Sequence, residues 1–192
     1  REGNIDFFDH MKEIRSIIGI DKPLHIQVTA SDTDGMLRDA DTLLNKVDSE
    51  VYVKIPVTME GIKTIKLLKA QNIHVTGTAI YSKQQGFLAM EAGADCIAPY
   101  FNRMENMGIN SDDVIASLAE MIDLYHYNTE ILAASFKNAG QVDRAFLAGA
   151  QTATMDPSIL EAALTFSHIT SAVDAFEQDW KSIYGDKTLS DL

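Results

Sequence analysis

One lysine lies inside a short apolar segment, where a charged side chain is costly. Lys54 stands among valine, tyrosine and isoleucine in residues 51–55, and Pro56 follows directly. Burial lowers the pKa of an ammonium group because it disfavours the charged form, and the free amine can attack a ketone to form a Schiff base. The alternative is a lysine whose ammonium reaches solvent along its apolar stem. Because a proline ends the segment, the pattern favours a nucleophile at a strand end.

Three polar residues occupy the ends of other apolar segments, where they could serve such a lysine. They are Gln27, Thr78 and Tyr100. Formation of an imine and protonation of an enamine both need proton transfers, so hydrogen-bonding groups must converge on the amine. Each residue alone is most simply a satisfied polar side chain, and only their joint placement favours an acid–base set.

Two cations and a hydroxyl follow the later segments and could hold an anion. Arg103 comes after the segment that ends at Tyr100, while Ser135 and Lys137 end the next segment. A guanidinium, an ammonium and a hydroxyl can together bind phosphate, although surface cations are usually only solvated. The formal net charge of −12 repels nucleic acid and anionic membranes. We therefore expect a local phosphate site, no nucleic-acid partner and no membrane partner.

The apolar segments alternate with longer amphipathic ones, which is typical of βα units and a parallel sheet. The expected strands are residues 24–29, 51–55, 73–77, 96–99, 130–134 and 152–155. The expected helices are residues 5–18, 32–47, 60–70, 83–91, 111–125, 141–147 and 172–184. Residues 102–111, which contain Gly108 and several polar residues, are expected to form a loop. The two-residue period of a strand directs Lys54 to the face opposite its two valine neighbours.

Strands that recur at intervals of roughly 20 to 35 residues predict a TIM barrel, in which catalytic residues lie at the carboxyl ends of the strands. The composition fits one α/β domain over residues 1–192, because 46% of the residues are hydrophobic and 23% are charged. Six strands are predicted, whereas a (β/α)8 barrel has eight, and the chain begins with Arg1. We therefore expect the first two strands of the barrel to be missing from this chain.

Five motifs follow one another along the chain: Val51-Tyr52-Val53-Lys54-Ile55-Pro56-Val57-Thr58-Met59-Glu60-Gly61-Ile62, Gly77-Thr78-Ala79, Ala98-Pro99-Tyr100-Phe101-Asn102-Arg103, Leu132-Ala133-Ala134-Ser135-Phe136-Lys137 and Phe176-Glu177-Gln178-Asp179-Trp180. Together they resemble the transaldolase-like class I aldolases, a family that includes fructose-6-phosphate aldolase and the transaldolases. The similarity covers essentially the whole chain in the family's order.

The resemblance implies that Lys54 forms a Schiff base with the ketone of the substrate. Fructose-6-phosphate aldolase holds a catalytic water with residues that match Gln27, Thr78 and Tyr100, and its tyrosine helps as acid and base. The implied reaction is reversible aldol cleavage of fructose 6-phosphate to dihydroxyacetone and glyceraldehyde 3-phosphate. Transaldolases proper typically carry Glu and Phe at the positions of Gln27 and Tyr100. Transfer of a dihydroxyacetone unit between sugar phosphates is therefore the alternative hypothesis.

The phosphate-binding positions of the family match Arg103, Ser135 and Lys137. The resemblance further implies that this chain carries strands 3–8 of the family's barrel and its C-terminal helix. It implies a homo-oligomer, a pentamer or decamer, in which that helix packs on a neighbouring subunit. On the residues alone, packing of the helix against its own barrel is an equally good alternative. Family members carry an Asp on the first strand and a Thr-Thr-Asn-Pro segment on the second, and neither precedes Arg1. A noncatalytic sugar-phosphate binder or truncated scaffold is therefore a third hypothesis.

Cysteine and histidine usage favours an enzyme without a metal. Cys96 is the single cysteine, which excludes an intrachain disulfide and agrees with a reducing compartment, so we expect a cytoplasmic protein. The five histidines are scattered and lack the spacing of a metal site. Schiff-base chemistry also needs no metal, and we expect no cofactor.

Overall fold

The computed structural model describes residues 5–165 and 167–192, with a sheet of six parallel strands at its centre. Neighbouring strands in the sheet are consecutive in the chain, which is the arrangement of successive βα units. The strands are β1 (Leu24–Gln27), β2 (Val51–Pro56), β3 (Val75–Ile80), β4 (Cys96–Pro99), β5 (Glu130–Ala133) and β6 (Thr152–Ala153). The helices are α1 (Phe7–Ile18), α2 (Thr33–Lys46), α3 (Met59–Lys69), α4 (Lys83–Glu91), α5 (Phe101–Asn106), α6 (Ser111–Tyr125), α7 (Ala139–Leu147), α8 (Pro157–Leu164) and α9 (Ser167–Tyr184). The six predicted strands and seven predicted helices are all present, with some bounds shifted.

Helices cover one face of the sheet and form the main core with it. Val51, Val53 and Ile55 of β2 are fully buried on this face, as the two-residue period predicts. They belong to one apolar cluster with helix residues such as Met36 of α2 and Ile65 of α3. The intervening residues of β2 therefore face the opposite side of the sheet.

That opposite face is concave. A cavity of about 380 Å³ on this side is lined by His25 of β1 and also by Thr152 of β6. These strands are the two outermost of the sheet. Residues of both outer strands can line one cavity because the sheet curls around it. The fold is therefore an α/β half-barrel of six parallel strands.

Beyond α1, which Asp6 caps in the same way, six of the helices begin with a polar side chain that accepts a hydrogen bond from a backbone N–H of the first turn. The capping residues are Asp32, Thr58, Ser82, Asn110, Asn138 and Asp156. Each cap satisfies an N–H group that has no partner within its helix and contributes about 1 kcal/mol. All of them except Asn110 follow a strand end within a few residues. These helices therefore start at the carboxyl edge of the sheet, where the strand-end residues lie.

The loop prediction for residues 102–111 is wrong in its first half. Helix α5 occupies Phe101–Asn106. Phe101 and Met104 are fully buried, and the backbone N–H of Phe101 donates to the carbonyl of Ala134 at 2.8 Å. Burial of two large apolar side chains thus imposes a helical turn on a segment whose polar and glycine content favours a loop.

Two further elements differ from the sequence prediction. Strand β3 extends to Ile80, three residues beyond the predicted end, so that Thr78 lies within the strand. Helix α8 was not predicted at all, although Asp156 and Pro157 form a typical helix start. The predicted domain also includes residues 1–4 and 166, which lie outside the described residues. Within the described ranges, no helix is both long and apolar enough to cross a membrane.

Candidate active site

Lys54 lies on the concave face of the sheet, as its place in the alternating strand predicts. It pairs with Gln27 of β1 on one side and with Thr76 of β3 on the other. Its side chain is partly buried and lines two cavities. One is the interior cavity of about 380 Å³, and the other, of about 270 Å³, opens at the carboxyl edge of the sheet. The amine therefore stands between the interior of the half-barrel and the edge that a substrate can reach.

Burial lowers the pKa of Lys54 below its ordinary value, because desolvation penalises the ammonium form. A larger fraction of this amine is unprotonated near neutral pH than for an exposed lysine, and only the unprotonated amine is nucleophilic. Between the lowered pKa and the ordinary one, the unfolded chain binds a proton that the folded chain releases. The contribution of Lys54 to folding stability therefore rises as pH rises through that window.

Thr78 and Tyr100 form a hydroxyl pair beside this lysine. Their side-chain oxygens are 3.1 Å apart. Thr78 is fully buried on β3, whereas Tyr100, directly after β4, lines the carboxyl-edge cavity with Lys54. Each hydroxyl can donate and accept a hydrogen bond. The pair can therefore pass a proton to or from a molecule bound at Lys54.

An irregularity in β3 follows Thr78 directly. The register with β4 shifts between Gly77 and Ile80, and Ala79 has φ of 57°. A non-glycine residue in this left-handed region is strained by about 1–3 kcal/mol, and such strain concentrates at functional sites. Bulges of this kind redirect side chains next to active sites. The strain here accompanies the contact between Thr78 and Tyr100.

The carboxyl-edge cavity combines the amine with groups suited to an anion. Arg103 and Ser135 line it together with Lys54 and Tyr100. The Arg103 guanidinium lies 4.6 Å from the centre of the Tyr100 ring. Ser135 has φ of 65°, and its strained backbone accepts a hydrogen bond from the N–H of Asn102 at 2.9 Å. The cavity can therefore receive a molecule that carries both a carbonyl and an anionic group.

Two residues of the predicted site lie at its periphery. Gln27 is level with Lys54 in the sheet, but its side chain is exposed and it lines a separate cavity with Phe7 and Phe8. Lys137 is exposed, and its backbone N–H donates to the Gln141 side chain at 2.8 Å. Neither residue lines the carboxyl-edge cavity. The structure thus brings together the amine, the hydroxyl pair, the guanidinium and Ser135.

A polar layer lies deeper in the half-barrel. The His25 Nδ1 atom is 2.8 Å from the Thr76 hydroxyl, and its ring packs against Tyr52, which stacks on His74. Burial, and then the nearby charge of Lys54, lower the pKa of His25 to about 4. His25 is therefore neutral near pH 7 and adds no positive charge beside the amine.

Replacing His25 by asparagine is expected to reduce the loss of stability in acid. Between pH 4 and 6.5 the unfolded histidine binds a proton that the folded one does not, so folding weakens as pH falls through this window. The difference between wild type and variant is expected to be about 1–2 kcal/mol between pH 7 and 4.5, less than the full shift because solvent screens a partly exposed ring. Urea unfolding at both pH values measures it.

The exposed residue His126 provides the matched control. It caps α6 in a left-handed conformation that asparagine also adopts readily. His126→Asn should change the acid sensitivity less than His25→Asn does, because the exposed ring loses no buried contacts. Equal acid sensitivity in His25→Asn and wild type would contradict the assigned role of the buried ring.

Two residues near the cavity escaped the sequence prediction. Tyr81 accepts a hydrogen bond from Arg103 Nη1 at 3.3 Å, and Asp156 lines the carboxyl-edge cavity while capping α8. The Asp156-Pro157 pair was a usable signal for a helix start next to a strand. Tyr81 carried no such signal, because the predicted strand ended before it.

Within the part of the chain that the structure describes, other reactive side chains do not form a competing site. Burial raises the pKa of Cys96 to about 12, so its thiol is protonated and weakly nucleophilic at neutral pH. The described residues contain no group of three or more His, Cys, Asp or Glu side chains placed to hold a metal ion. The chemistry that these residues offer is therefore centred on Lys54.

Comparison with known proteins agrees with this geometry. Residues 7–187 match the family described as "Transaldolase/Fructose-6-phosphate aldolase". A probable fructose-6-phosphate aldolase of Streptococcus pneumoniae (strain ATCC 700669 / Spain 23F-1) is 44% identical over 189 residues, which cover 98% of this chain and 85% of that relative. The match confirms the resemblance seen around the lysine segment. The chain belongs to the transaldolase/fructose-6-phosphate aldolase family.

Proposed function

We propose that this protein is a class I aldolase that reversibly cleaves fructose 6-phosphate to dihydroxyacetone and glyceraldehyde 3-phosphate. The observation that carries the proposal is the shared cavity of Lys54 and Tyr100, in which burial lowers the pKa of the amine. The name of the 44% identical relative gives independent support. A lysine without an acid–base partner could form an imine but could not complete the proton transfers of an aldol cycle.

In the cleavage direction, the Lys54 amine attacks the C2 ketone and gives a carbinolamine, which loses water to form an iminium ion. Tyr100, relayed by Thr78, donates and recovers the protons of these steps. The C4 hydroxyl then gives its proton to Tyr100, and the C3–C4 bond breaks to release C4–C6 as glyceraldehyde 3-phosphate. The electron pair of that bond moves into the iminium to form an enamine. Protonation of the enamine at C3 and hydrolysis of the imine release dihydroxyacetone and restore the amine.

The substrate phosphate would bind beside Arg103 and Ser135 in the same cavity. Arg103 and Ser135 supply a guanidinium and a hydroxyl there, and Lys137 adds a positive charge at the rim. Gln27, level with the amine in the sheet, would hold the catalytic water with Thr78. The guanidinium of Arg103 suits the phosphate better than an ammonium would, because its fork of donors matches the phosphate oxygens.

We also propose the architecture and assembly that the resemblance implies. Residues 1–192 would form one domain with the strand order of a TIM barrel, in which a reaction at the carboxyl edge is the rule. No described residue of α9 is buried, and Val173, Phe176 and Ile183 are largely exposed on it. An apolar helix surface of this kind favours packing on another copy, as a pentamer or decamer. Light scattering measures the assembly, and the single cysteine favours a cytoplasmic location.

The decisive assay separates cleavage from transfer. The purified protein is incubated with fructose 6-phosphate, and free dihydroxyacetone is measured with and without erythrose 4-phosphate as acceptor. An aldolase releases dihydroxyacetone in both cases, whereas a transaldolase forms sedoheptulose 7-phosphate only with the acceptor. Release of neither product would reject both activities and leave the noncatalytic sugar-phosphate binder.

Tyr100→Phe is expected to shift the balance from release to transfer. The hydroxyl that activates water for imine hydrolysis is lost, while the ring remains to fill the cavity. Removal of one acid–base group costs about 10²-fold or more in that step. The measurement is the ratio of dihydroxyacetone to transfer product in the same assay. Tyr125→Phe, at an exposed position at the end of α6, serves as the control, and an unchanged ratio in Tyr100→Phe would reject the role of the hydroxyl.

A further inference from the structure

Tyr81 occupies a fixed position beside the candidate phosphate site. It follows β3 directly and is partly buried. Its backbone N–H donates to Gln85 Oε1 at 2.9 Å, and Gln85 Nε2 donates in turn to the carbonyl of Val57 at 3.0 Å. These hydrogen bonds connect the loop after β3 to the loop after β2, and β2 is the strand that carries Lys54. The backbone position of Tyr81 is therefore fixed by contacts that do not involve Arg103.

The Tyr81 side chain contacts both Tyr100 and Arg103 at the carboxyl-edge cavity. Its ring lies edge-on to the Tyr100 ring, with centroids 5.6 Å apart and an angle of 74° between the planes. Its hydroxyl accepts the hydrogen bond from Arg103 Nη1 at 3.3 Å. The Arg103 guanidinium also lies over the Tyr100 ring at 4.6 Å, in the geometry of a cation–π contact. Arg103 is thus held between two tyrosines.

This contact matters because Arg103 has a long and exposed side chain. It is exposed on the short helix α5 and borders two cavities, the one at Lys54 and another lined by Tyr81 and Met107. A free arginine loses rotamer freedom when it binds an anion, and that loss weakens binding. A hydrogen bond to one guanidinium N–H directs the group, while its remaining N–H donors stay available to a phosphate. The same hydrogen bond raises the pKa of Arg103 above its ordinary value.

We propose that Tyr81 is a positioning residue that holds Arg103 over Tyr100 and so makes the site selective for phosphorylated substrates. The choice of substrate rests on the proposed aldolase function. The contacts of Tyr81 with Arg103 and Tyr100 bear only on anion binding. Tyr81 acts through Arg103 and takes no part in the proton transfers.

Tyr81→Phe tests the inference because it removes the hydroxyl and keeps the ring against Tyr100. In the synthesis direction with dihydroxyacetone, KM for glyceraldehyde 3-phosphate is expected to rise about fivefold to tenfold, the usual effect of losing one charge-assisted hydrogen bond at an exposed site. The kcat is expected to stay within about twofold, and KM for unphosphorylated glyceraldehyde should not change. A purely structural effect would raise both KM values together, and that result would overturn the proposal.

Two further measurements make the test independent of activity. Inorganic phosphate binding, followed by the thermal shift it produces, should weaken about fivefold to tenfold in Tyr81→Phe. Adding Tyr81→Phe to Arg103→Ala should cause no further loss, because one residue acts through the other. Additive losses, or no phosphate binding by the wild type, would also overturn the proposal. An inactive wild type that binds phosphate, with weaker binding in Tyr81→Phe, would reject the aldolase function and support the positioning role.

Tyr125→Phe is the matched control, since that tyrosine is exposed at the end of α6 and contacts only Tyr127 among the aromatic rings of the described residues. It should match the wild type in phosphate affinity and in both KM values. A control that shifted as much as Tyr81→Phe would attribute the effect to general destabilisation and would count against the proposal.

Discussion

Lys54→Met is expected to reduce aldol cleavage by at least about 1,000-fold, because the proposed reaction passes through a covalent intermediate on the Lys54 amine. Methionine is similarly long and unbranched, so the concave face keeps its packing. The loss should appear in kcat with phosphorylated and unphosphorylated substrates alike. Steady-state cleavage of fructose 6-phosphate measures it, with Lys66→Met, at an exposed position on α3, as the control.

Borohydride locates the imine chemically. Reduction in the presence of dihydroxyacetone should attach one reduced three-carbon unit to Lys54, which peptide mass spectrometry identifies. Lys54→Met should acquire no such adduct, whereas Lys66→Met should be labelled like the wild type. An active protein that is unmodified at Lys54, or labelled at another lysine, would refute the assignment.

Lys54→Met is expected to preserve or raise the free energy of unfolding, although it lowers activity. Burial disfavours the charged form of Lys54, as its lowered pKa indicates, and a methionine at this position carries no such cost. Lys54→Met should therefore be at least as stable as the wild type at pH 7. A cost in stability of this kind is expected if Lys54 has the proposed catalytic role, because activity often requires a destabilised site.

Gly61→Ala is expected to destabilise the fold by at least about 3 kcal/mol, beyond the usual cost of a tight substitution. A Cβ at this position would lie 1.9 Å from the carbonyl oxygen of Pro56, which is backbone and cannot rotate away. Helix α3 would have to move away from the end of β2. For a chain of this size the melting temperature should fall by roughly 6–12 °C, as measured by circular dichroism.

Gly140→Ala provides the matched control in the first turn of α7. Among the described residues, the one close neighbour of a Cβ there is the Asn138 side-chain oxygen, at 3.3 Å. This variant should lose little stability, since alanine favours a helix over glycine by about 1 kcal/mol. Gly61→Ala should also lower the activity of the remaining folded protein, because Pro56 is only two residues from Lys54. A melting temperature equal to that of Gly140→Ala would contradict the close approach of α3 and β2.

Local patterns predicted most elements of the fold because they depend on neighbouring residues alone. Strand β4 and helices α4 and α6 begin and end where the sequence pattern places them. The helix at Phe101–Asn106 was missed because its stability depends on burial of Phe101 and Met104 among distant segments. The periodicity of a short segment does not reveal burial against residues that are distant in the chain.

The predicted site residues lie close together only in part, for the same reason. Lys54 and Tyr100 line one cavity, whereas Gln27 is exposed beside another. The position of a residue in a strand determines the face to which its side chain points. The curvature of the sheet decides which of these side chains come close together. The sequence prediction missed Tyr81 because β3, the strand before it, ends three residues later than the pattern indicated. Ala79 near that end lies in the left-handed region.

The sequence by itself determined that a lysine stands opposite the core on an apolar strand, since alternation along a strand is a local property of the backbone. It also determined the family, through motifs that run along the whole chain. Only the tertiary structure decided that Thr78 contacts Tyr100 and that Tyr81 holds Arg103. These contacts join residues far apart in the chain, and they exist because the curled sheet and its strained strand ends bring those residues to one edge.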